Sequence, residues 1–476
     1  MSHKTRKRLE TTMGNSINIV ELGEGKTSTL LWKYALPAIV GTTVNSLYNI
    51  IDRIFISHWV GDDALTAMGV VLPVMNLTAA VGMLVGAGSA SRMSISLGEK
   101  DKDTAEKIAG TSFLMTLVLS GITIALLMLF LEPVLIRAGA SEVTLPYAYK
   151  FLMIFLPGNL FLSLCFNFNN MMRASGYPSK AMITMLIGVV ANIILAPIFI
   201  KGLGWGIEGA AVATFLSMVI SCVFVMHHFL SLNSFIRLRL KYIIGNIEGK
   251  IIWAIASIGM PPFLMQVAAS AVVFFIISQL RLYAGDDPHA GDIAIGAYTI
   301  ANALIMLVVM IVIGLTQGMQ PIVGYNYGAK NYSRVRDTLV YTIKVGVCIT
   351  TVGFVLGFFF PHLLVNIFNP GEILEKEAVD ALRYIVLAFP LAGFQIVVSN
   401  FFQSIGMPGK SIFLSLTRQF LFLIPFLYFF PQFVGIKGVW LSMPAADIFS
   451  TIVTAILIII QTRIFKQMEK EGLARI

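Results

Sequence analysis

Long runs of apolar residues recur along almost the whole chain, as in "GITIALLMLFL" at 121–131 and "TIVTAILIIIQ" at 451–461. A helix that crosses a bilayer needs about 20 such residues. Spanning strands would show short alternating segments instead, so the pattern restricts the chain to a bundle of membrane helices. Only 12% of the 476 residues are charged, against about 25% in a soluble domain. The expected fold class is an all-α membrane protein with about twelve transmembrane helices. Spans are expected at 31–58, 65–90, 108–131, 146–171, 180–200, 208–231, 251–281, 294–322, 338–360, 381–405, 411–431 and 437–462.

Basic residues fall in alternate connections. They include Lys4, Arg6, Lys7, Arg8 and Lys26 before the first span, Lys100, Lys102 and Lys107 after the second, and Arg173 and Lys180 after the fourth. Arg237, Arg239, Lys241 and Lys250 follow the sixth, Lys330, Arg334 and Arg336 the eighth, and Arg463, Lys466, Lys470 and Arg475 the twelfth. The other connections are poor in base. The positive-inside rule places both termini in the cytoplasm, and an even number of spans agrees. The net charge of +9 therefore reads as topology, and no nucleic-acid partner is expected.

The chain repeats itself. "SLGEKDKDTAEK" from Ser96 returns as "NYGAKNYSRVRD" from Asn326, "RASGYPSKA" from Arg173 as "QSIGMPGKS" from Gln403, and "WGIEGAAVA" as "VGIKGVWLS". Two six-helix lobes of like orientation follow, related by a pseudo-two-fold along the membrane normal. The expected division is a basic leader at 1–29, an N-lobe at 30–232, a cytoplasmic linker and hinge at 233–250, a C-lobe at 251–462 and a tail at 463–476. Two such lobes with a cleft between them form a transporter architecture working by alternating access.

The first span holds an acid, Asp52, beside Arg53. Thr42, Asn45, Tyr48, Asn49 and Asp52 follow at steps of three or four and make a polar stripe, which should face the protein interior or a wet cavity. Intramembrane ionisable groups mark function by default; the plainer alternative is an interfacial acid paired with a base. Candidate partners are Asn167 and Asn170 in span four, Asn192 in span five, and Thr214, Ser217 and Ser221 in span six. A carboxylate among amide and hydroxyl oxygens suits Na⁺, and in a low-dielectric pocket it can instead carry a proton. For the Asn and Thr residues, ordinary interhelical hydrogen bonds are the competing role.

These residues resemble the multidrug and toxic compound extrusion (MATE) family, nearer its DinF-like and MepA-like bacterial branch than the NorM branch. The resemblance runs from about Leu30 to about Gln461 and is carried by "LPAIVGTTVNSLYNIIDRIFI", "GMPPFLMQ", "NFFQSIGMPGK", "RQFLFLIP" and "PAAD". It implies an antiporter of the bacterial cytoplasmic membrane, exporting amphipathic or cationic drugs in exchange for H⁺ or Na⁺ and acting as a monomer. It implies no cofactor beyond the coupling ion. Asp52 falls on the family's central cation or proton site, and Asn192 and Thr214 match its network. The family's second acid does not, since position 196 is alanine; that weakens a Na⁺ site and tilts the expectation towards H⁺. Pro37 matches a first-span proline whose helix is thought to bend on protonation, and a proline permits such a kink.

The NorM branch carries acids in spans seven and ten, whereas span seven here offers Gln266. The C-lobe has its own acid, Asp447, and a base, Arg418; expected depths differing by ~12 Å at 1.5 Å per residue set them apart unless a helix is broken. "GWGIEG" at 204–209 lacks the preceding strand of a nucleotide site. "DDPH" at 286–289 reads as an acidic loop, His227 and His228 lack ligand spacing, and Cys165, Cys222 and Cys348 read as packing residues. Convergent catalytic groups are missing, so an enzyme is not expected. The alternative function is a flippase of lipid-linked oligosaccharide, which would need more basic residues in the cleft to hold pyrophosphate.

Overall fold

The computed structural model describes residues 21–231, 234–245, 248–283, 288–369 and 371–470, apart from the side chains of Tyr48, Asn49, Ile50, Asp62, Ile244, Pro288 and His289. The leader before residue 21, the side chains of the "DDPH" segment and the last six residues lie outside these. The long helices are α1 (Thr27–Trp59), α2 (Asp62–Gly98), α3 (Lys102–Leu129), α4 (Leu145–Ala174), α5 (Pro178–Gly202) and α6 (Gly206–Leu230). The second set is α7 (Gly249–Tyr283), α8 (Pro288–Gly328), α9 (Tyr332–Phe359), α10 (Glu372–Ser404), α11 (Pro408–Val434) and α12 (Ile436–Lys470). Among the described residues, α2 to α12 hold eleven stretches long and apolar enough to cross a membrane; α1, with 33 residues, stands before them.

Helix ends differ from the expected spans because caps, not hydropathy, set them. The expected second span stops at 90, but α2 runs on to Gly98 and ends where Lys100 turns to a left-handed φ of 61°. Asp101 then caps α3, accepting from the Thr104 backbone N–H at 2.9 Å. The repeat reproduces this turn: α8 ends at Gly328, Lys330 has φ 58°, and Asn331 caps α9. The second repeated motif is likewise one device used twice. Gly176 and Gly406 have φ of 94° and 71°, and Pro178 and Pro408 open the next helix, where a missing N–H does no harm.

Within the N-lobe, α2 packs on α3 and α4, α4 on α6, and α5 on α1 and α6; within the C-lobe, α8 and α10 pack on α9, and α11 on α12. The lobes meet through α1 against α8 and α2 against α7 and α8. The inner end is the one that holds both described termini, and this contact is close from there into the helices: a Cβ on Gly259 would lie 1.7 Å from the Leu84 carbonyl oxygen. A Cβ on Gly98 would lie 1.9 Å from the Tyr325 carbonyl oxygen, and one on Gly328 2.1 Å from that of Ile95. Glycines let membrane helices approach backbone to backbone in this way.

The inner ends of the lobes' first helices are exchanged. Leu30, Leu31, Tyr34 and Ala35 of α1 are buried in the inner apolar cluster of the C-lobe, with Val323, Leu339 and Phe402. Ile251 and Ile255 of α7 are buried in that of the N-lobe, with Met93, Ile108 and Phe229. Farther out, Ile56 of α1 joins the outer N-lobe cluster and Ile276 of α7 the outer C-lobe cluster.

The expected linker packs on the N-lobe. Ile236 and Tyr242 are fully buried, Arg239 Nε lies 2.7 Å from the buried Glu106, and the short helix Leu240–Ile244 rests on α3. Arg173, expected in a basic loop, is also buried, donating to Asn169 at 2.5 Å and to Asn170.

Candidate functional site

Asp52 sits in the outer half of α1, buried, with one carboxylate oxygen lacking a hydrogen-bond partner. Helix α1 packs on α5. There Asn192 is also buried; its amide donates to Thr214 Oγ1 of α6 at 3.1 Å, and its own oxygen is unpartnered. Depths agree. A Cβ on Gly206 would lie 3.8 Å from Val60; Asp52 is eight residues in from Val60 and Thr214 eight in from Gly206, each ~12 Å deep on a 1.5 Å rise. Two unpartnered acceptors and a hydroxyl thus occupy one level of the N-lobe interior. Buried acceptors without partners are unfavourable, and a proton or small cation would relieve them.

Ala196 is fully buried in the outer apolar cluster of the N-lobe. Asn45 is exposed on the stripe, and the side chains of Tyr48 and Asn49 lie outside the described residues. Pro37 lies within α1, which continues through it.

Asn167 and Asn170 belong to a different network. Asn167 accepts from Ser89 at 2.6 Å and donates to Thr116 at 3.0 Å, tying α2, α3 and α4 together. Asn170 is engaged with Arg173. Both therefore hold the lobe rather than complete the surroundings of Asp52.

The C-lobe acid and base are paired, which overturns the expected separation. Arg418 Nε donates to Asp447 Oδ1 at 2.5 Å. Two features close the gap. Helices α11 and α12 meet at the single residue Gly435, so their depths differ by only ~8 Å at 1.5 Å per residue, within reach of an arginine. A π-helical stretch, Thr417–Leu423, also interrupts α11 at this point; such bulges often mark functional positions. Around the pair, the Gln395 amide reaches the Asp447 carbonyl at 2.6 Å and Ser450 Oγ at 2.6 Å. Gln266 stands half-buried on α7, its carbonyl accepting from Ser270.

Between the lobes a cleft of about 1040 Å³ opens at the outer end. Its described lining includes Ser46, Arg53 and His58 of α1, Met68 of α2, Thr299, Met306 and Met310 of α8, and Phe368. Arg53 faces this cleft while its neighbour Asp52 is buried in the N-lobe. The roughly 100° step between helix neighbours allows that division, but no periodicity in the sequence said which space Arg53 would enter.

The two-lobed helical arrangement matches known proteins. The MatE family model matches residues 37–198 and 262–429. Multidrug export protein MepA of Staphylococcus aureus (strain N315) is 28% identical over 415 residues, covering 87% of this chain and 89% of that protein. MepA of Staphylococcus saprophyticus is 26% identical over 414 residues, with the same coverage. Among solved structures, the outward-facing conformation of a multidrug resistance MATE family transporter of the MOP superfamily superposes with a TM-score of 0.87 at 26% identity, covering 94% of this chain and 98% of the other. A MATE structure in the bent conformation gives 0.88 at 26% identity and the same coverage. With its two six-helix lobes, its outer cleft and a family match across both halves, the chain belongs to the MatE family of membrane transporters.

Proposed function

We propose that this protein is a proton-coupled antiporter that exports amphipathic organic compounds across the bacterial cytoplasmic membrane, with both termini inside, and that it acts as a monomer by alternating access. The observation that carries the reading is the outer cleft beside a lobe whose interior holds a carboxylate with an unpartnered oxygen. Asp52 would take the proton, with Asn192 and Thr214 as its polar surroundings. Helix α1 would couple that event to the cleft, because it carries Asp52 at its outer half, contributes Ser46 to the cleft wall and roots its inner end in the C-lobe. The buried alanine at 196 supports H⁺ over Na⁺: the acid that would complete a dicarboxylate cation site is replaced by a methyl group among apolar side chains.

Efflux from proteoliposomes tests this, with a pH gradient or a Na⁺ gradient imposed alone. A pH gradient at symmetric Na⁺ should drive efflux. Efflux driven by Na⁺ at symmetric pH, with none under the pH gradient, would overturn the proton reading. Spin labels at Ser179 and Gly409, both exposed at the inner end of opposite lobes, should separate when the inner end opens. A single fixed distance under all conditions would count against alternating access.

A further inference from the structure

We propose that the outer cleft binds amphiphiles bearing one anionic group, a carboxylate or sulfonate, and that Arg53 is the residue that anchors it. The inference deepens the export reading and rests on it, since it names the substrate class of the same cleft.

Arg53 projects into the cleft from within α1, six residues before the helix ends. It makes no hydrogen bond or ion pair among the described residues, Asp52 included. The acid beside it in sequence is turned into the N-lobe and buried there. No Asp or Glu lies among the described residues lining the cleft; its ionisable groups are Arg53 and His58. The rest of the wall is mainly apolar, with Met68, Met306, Met310 and Phe368. Arg53 is exposed within this open cleft, so an anionic group entering it can reach the guanidinium and replace water there.

A guanidinium presents its donors in a planar fork that fits two oxygens of one anionic group. Ser57, one turn beyond Arg53, lines the same space, and its hydroxyl can donate to the third oxygen of a sulfonate; the Thr299 hydroxyl is already donated to the Ile295 carbonyl at 2.8 Å. His58 lies one and a half turns beyond, ~7.5 Å along the axis, close enough to offer a ring N–H to a larger headgroup. The methionines suit the apolar body, because their flexible thioethers adapt to different shapes. A cationic ligand would meet Arg53 with no acid in the described lining to offset the repulsion. The described lining therefore disfavours cations even as it accepts varied apolar bodies.

The test uses the purified full chain in nanodiscs of zwitterionic lipid, with no ion gradient. Two fluorescent probes share one aromatic body: phenylnaphthylamine, which is neutral, and anilinonaphthalene sulfonate, which carries one anion. Tetraphenylphosphonium serves as a cationic competitor. The sulfonate should bind at least about tenfold more tightly than the neutral probe, a difference of about 1.4 kcal/mol. Arg53→Gln should weaken sulfonate binding by about tenfold and leave the neutral probe within about twofold, whereas Arg53→Lys, which keeps the charge and loses the fork, should keep only part of the preference. Equal binding of the two probes by the native protein would overturn the proposal, as would an unchanged sulfonate affinity in Arg53→Gln or tighter binding of the cation. Should Arg53→Gln fail to fold, the native preference and the lysine variant decide the matter. Failure here would leave proton-driven efflux in proteoliposomes standing, whereas anion binding without such efflux would defeat the export reading alone.

Discussion

The two lobes share one backbone plan and differ in where they place charge. Pro37 and Ser46 of α1 match Pro261 and Ser270 of α7; six residues beyond the serines stand Asp52 in one lobe and Ile276 in the other. Ile276 is core, packed with Ala297 and Leu382. The reverse holds at the far side. Twelve residues beyond Gly406 is Arg418, while twelve beyond Gly176 is Gly188; nine beyond Gly438 is Asp447, while nine beyond Gly209 is Met218. The N-lobe therefore keeps a lone acid with an unpartnered oxygen, and the C-lobe a satisfied acid–base pair. A duplicated fold can hold its packing and turns constant while one copy carries a titratable group and the other is closed by an internal counter-charge.

The contrast breaks most visibly at the acids. Asp52→Asn should abolish export while leaving expression and melting temperature unchanged; normal drug resistance at equal expression would remove Asp52 from the mechanism. Asp447→Ala should do the opposite and act first on stability. It leaves Arg418 without its counter-charge, and the loss of one partner of a buried pair costs about 3–5 kcal/mol, here at the low end because a third of the Arg418 side chain stays accessible. Thermal unfolding should show the drop, and the apolar double variant Arg418→Met with Asp447→Leu should recover most of it and still export. If the stable double variant does not export, the C-lobe pair shares in coupling and the contrast fails.

Ala196→Asp sharpens the comparison from the N-lobe side. A second carboxylate, one helical turn beyond Asn192, should make efflux respond to a Na⁺ gradient while weakening the response to pH. If neither ion's effect changes, Ala196 lies outside the site.

The smallest effect separates two matching helix starts. Asp101 caps α3 and Asn331 caps α9. The hydroxyl and backbone N–H of Thr104 hold the Asp101 carboxyl below its usual range. Its folded value is depressed, so the cap's contribution is present above the ordinary aspartate value and lost as pH falls through the folded one. Asn331 does not titrate. Hydrogen exchange in the first turn of α3 should quicken in acid relative to the first turn of α9, by no more than the ~1 kcal/mol typical of a cap. Equal acid sensitivity of the two turns would show that the cap is not the cause.

The repeat was legible because its devices are local: a left-handed residue, a cap and a proline lie within a dozen residues of one another. Of the expected polar stripe on α1, Thr42 and Asp52 are buried while Asn45 is exposed, because the helix turns part of that face to the space between the lobes. Contacts that depend on how helices meet were not legible. The pairing of Arg418 with Asp447 needed the junction at Gly435 and the π stretch, and Asn167 and Asn170 looked like companions of Asp52 until α3 supplied Thr116. The segment at 233–250 reads as a linker and hinge by its charges, which say nothing of its partners: Arg239 is tied to Glu106 and Tyr242 to Asp103. No rule of spacing tells a surface base from one with a buried acid waiting on another helix.

The exchanged inner ends of α1 and α7 make neither half a finished fold. Split between the lobes, each fragment would carry an unfilled socket in its core and a greasy peg with nowhere to go. Two fragments produced together would each hold what the other lacks, whereas either alone would have to borrow from a second copy of itself. The single polypeptide is in this sense a tethered dimer, and its tether does less to hold it together than the trade of helix ends.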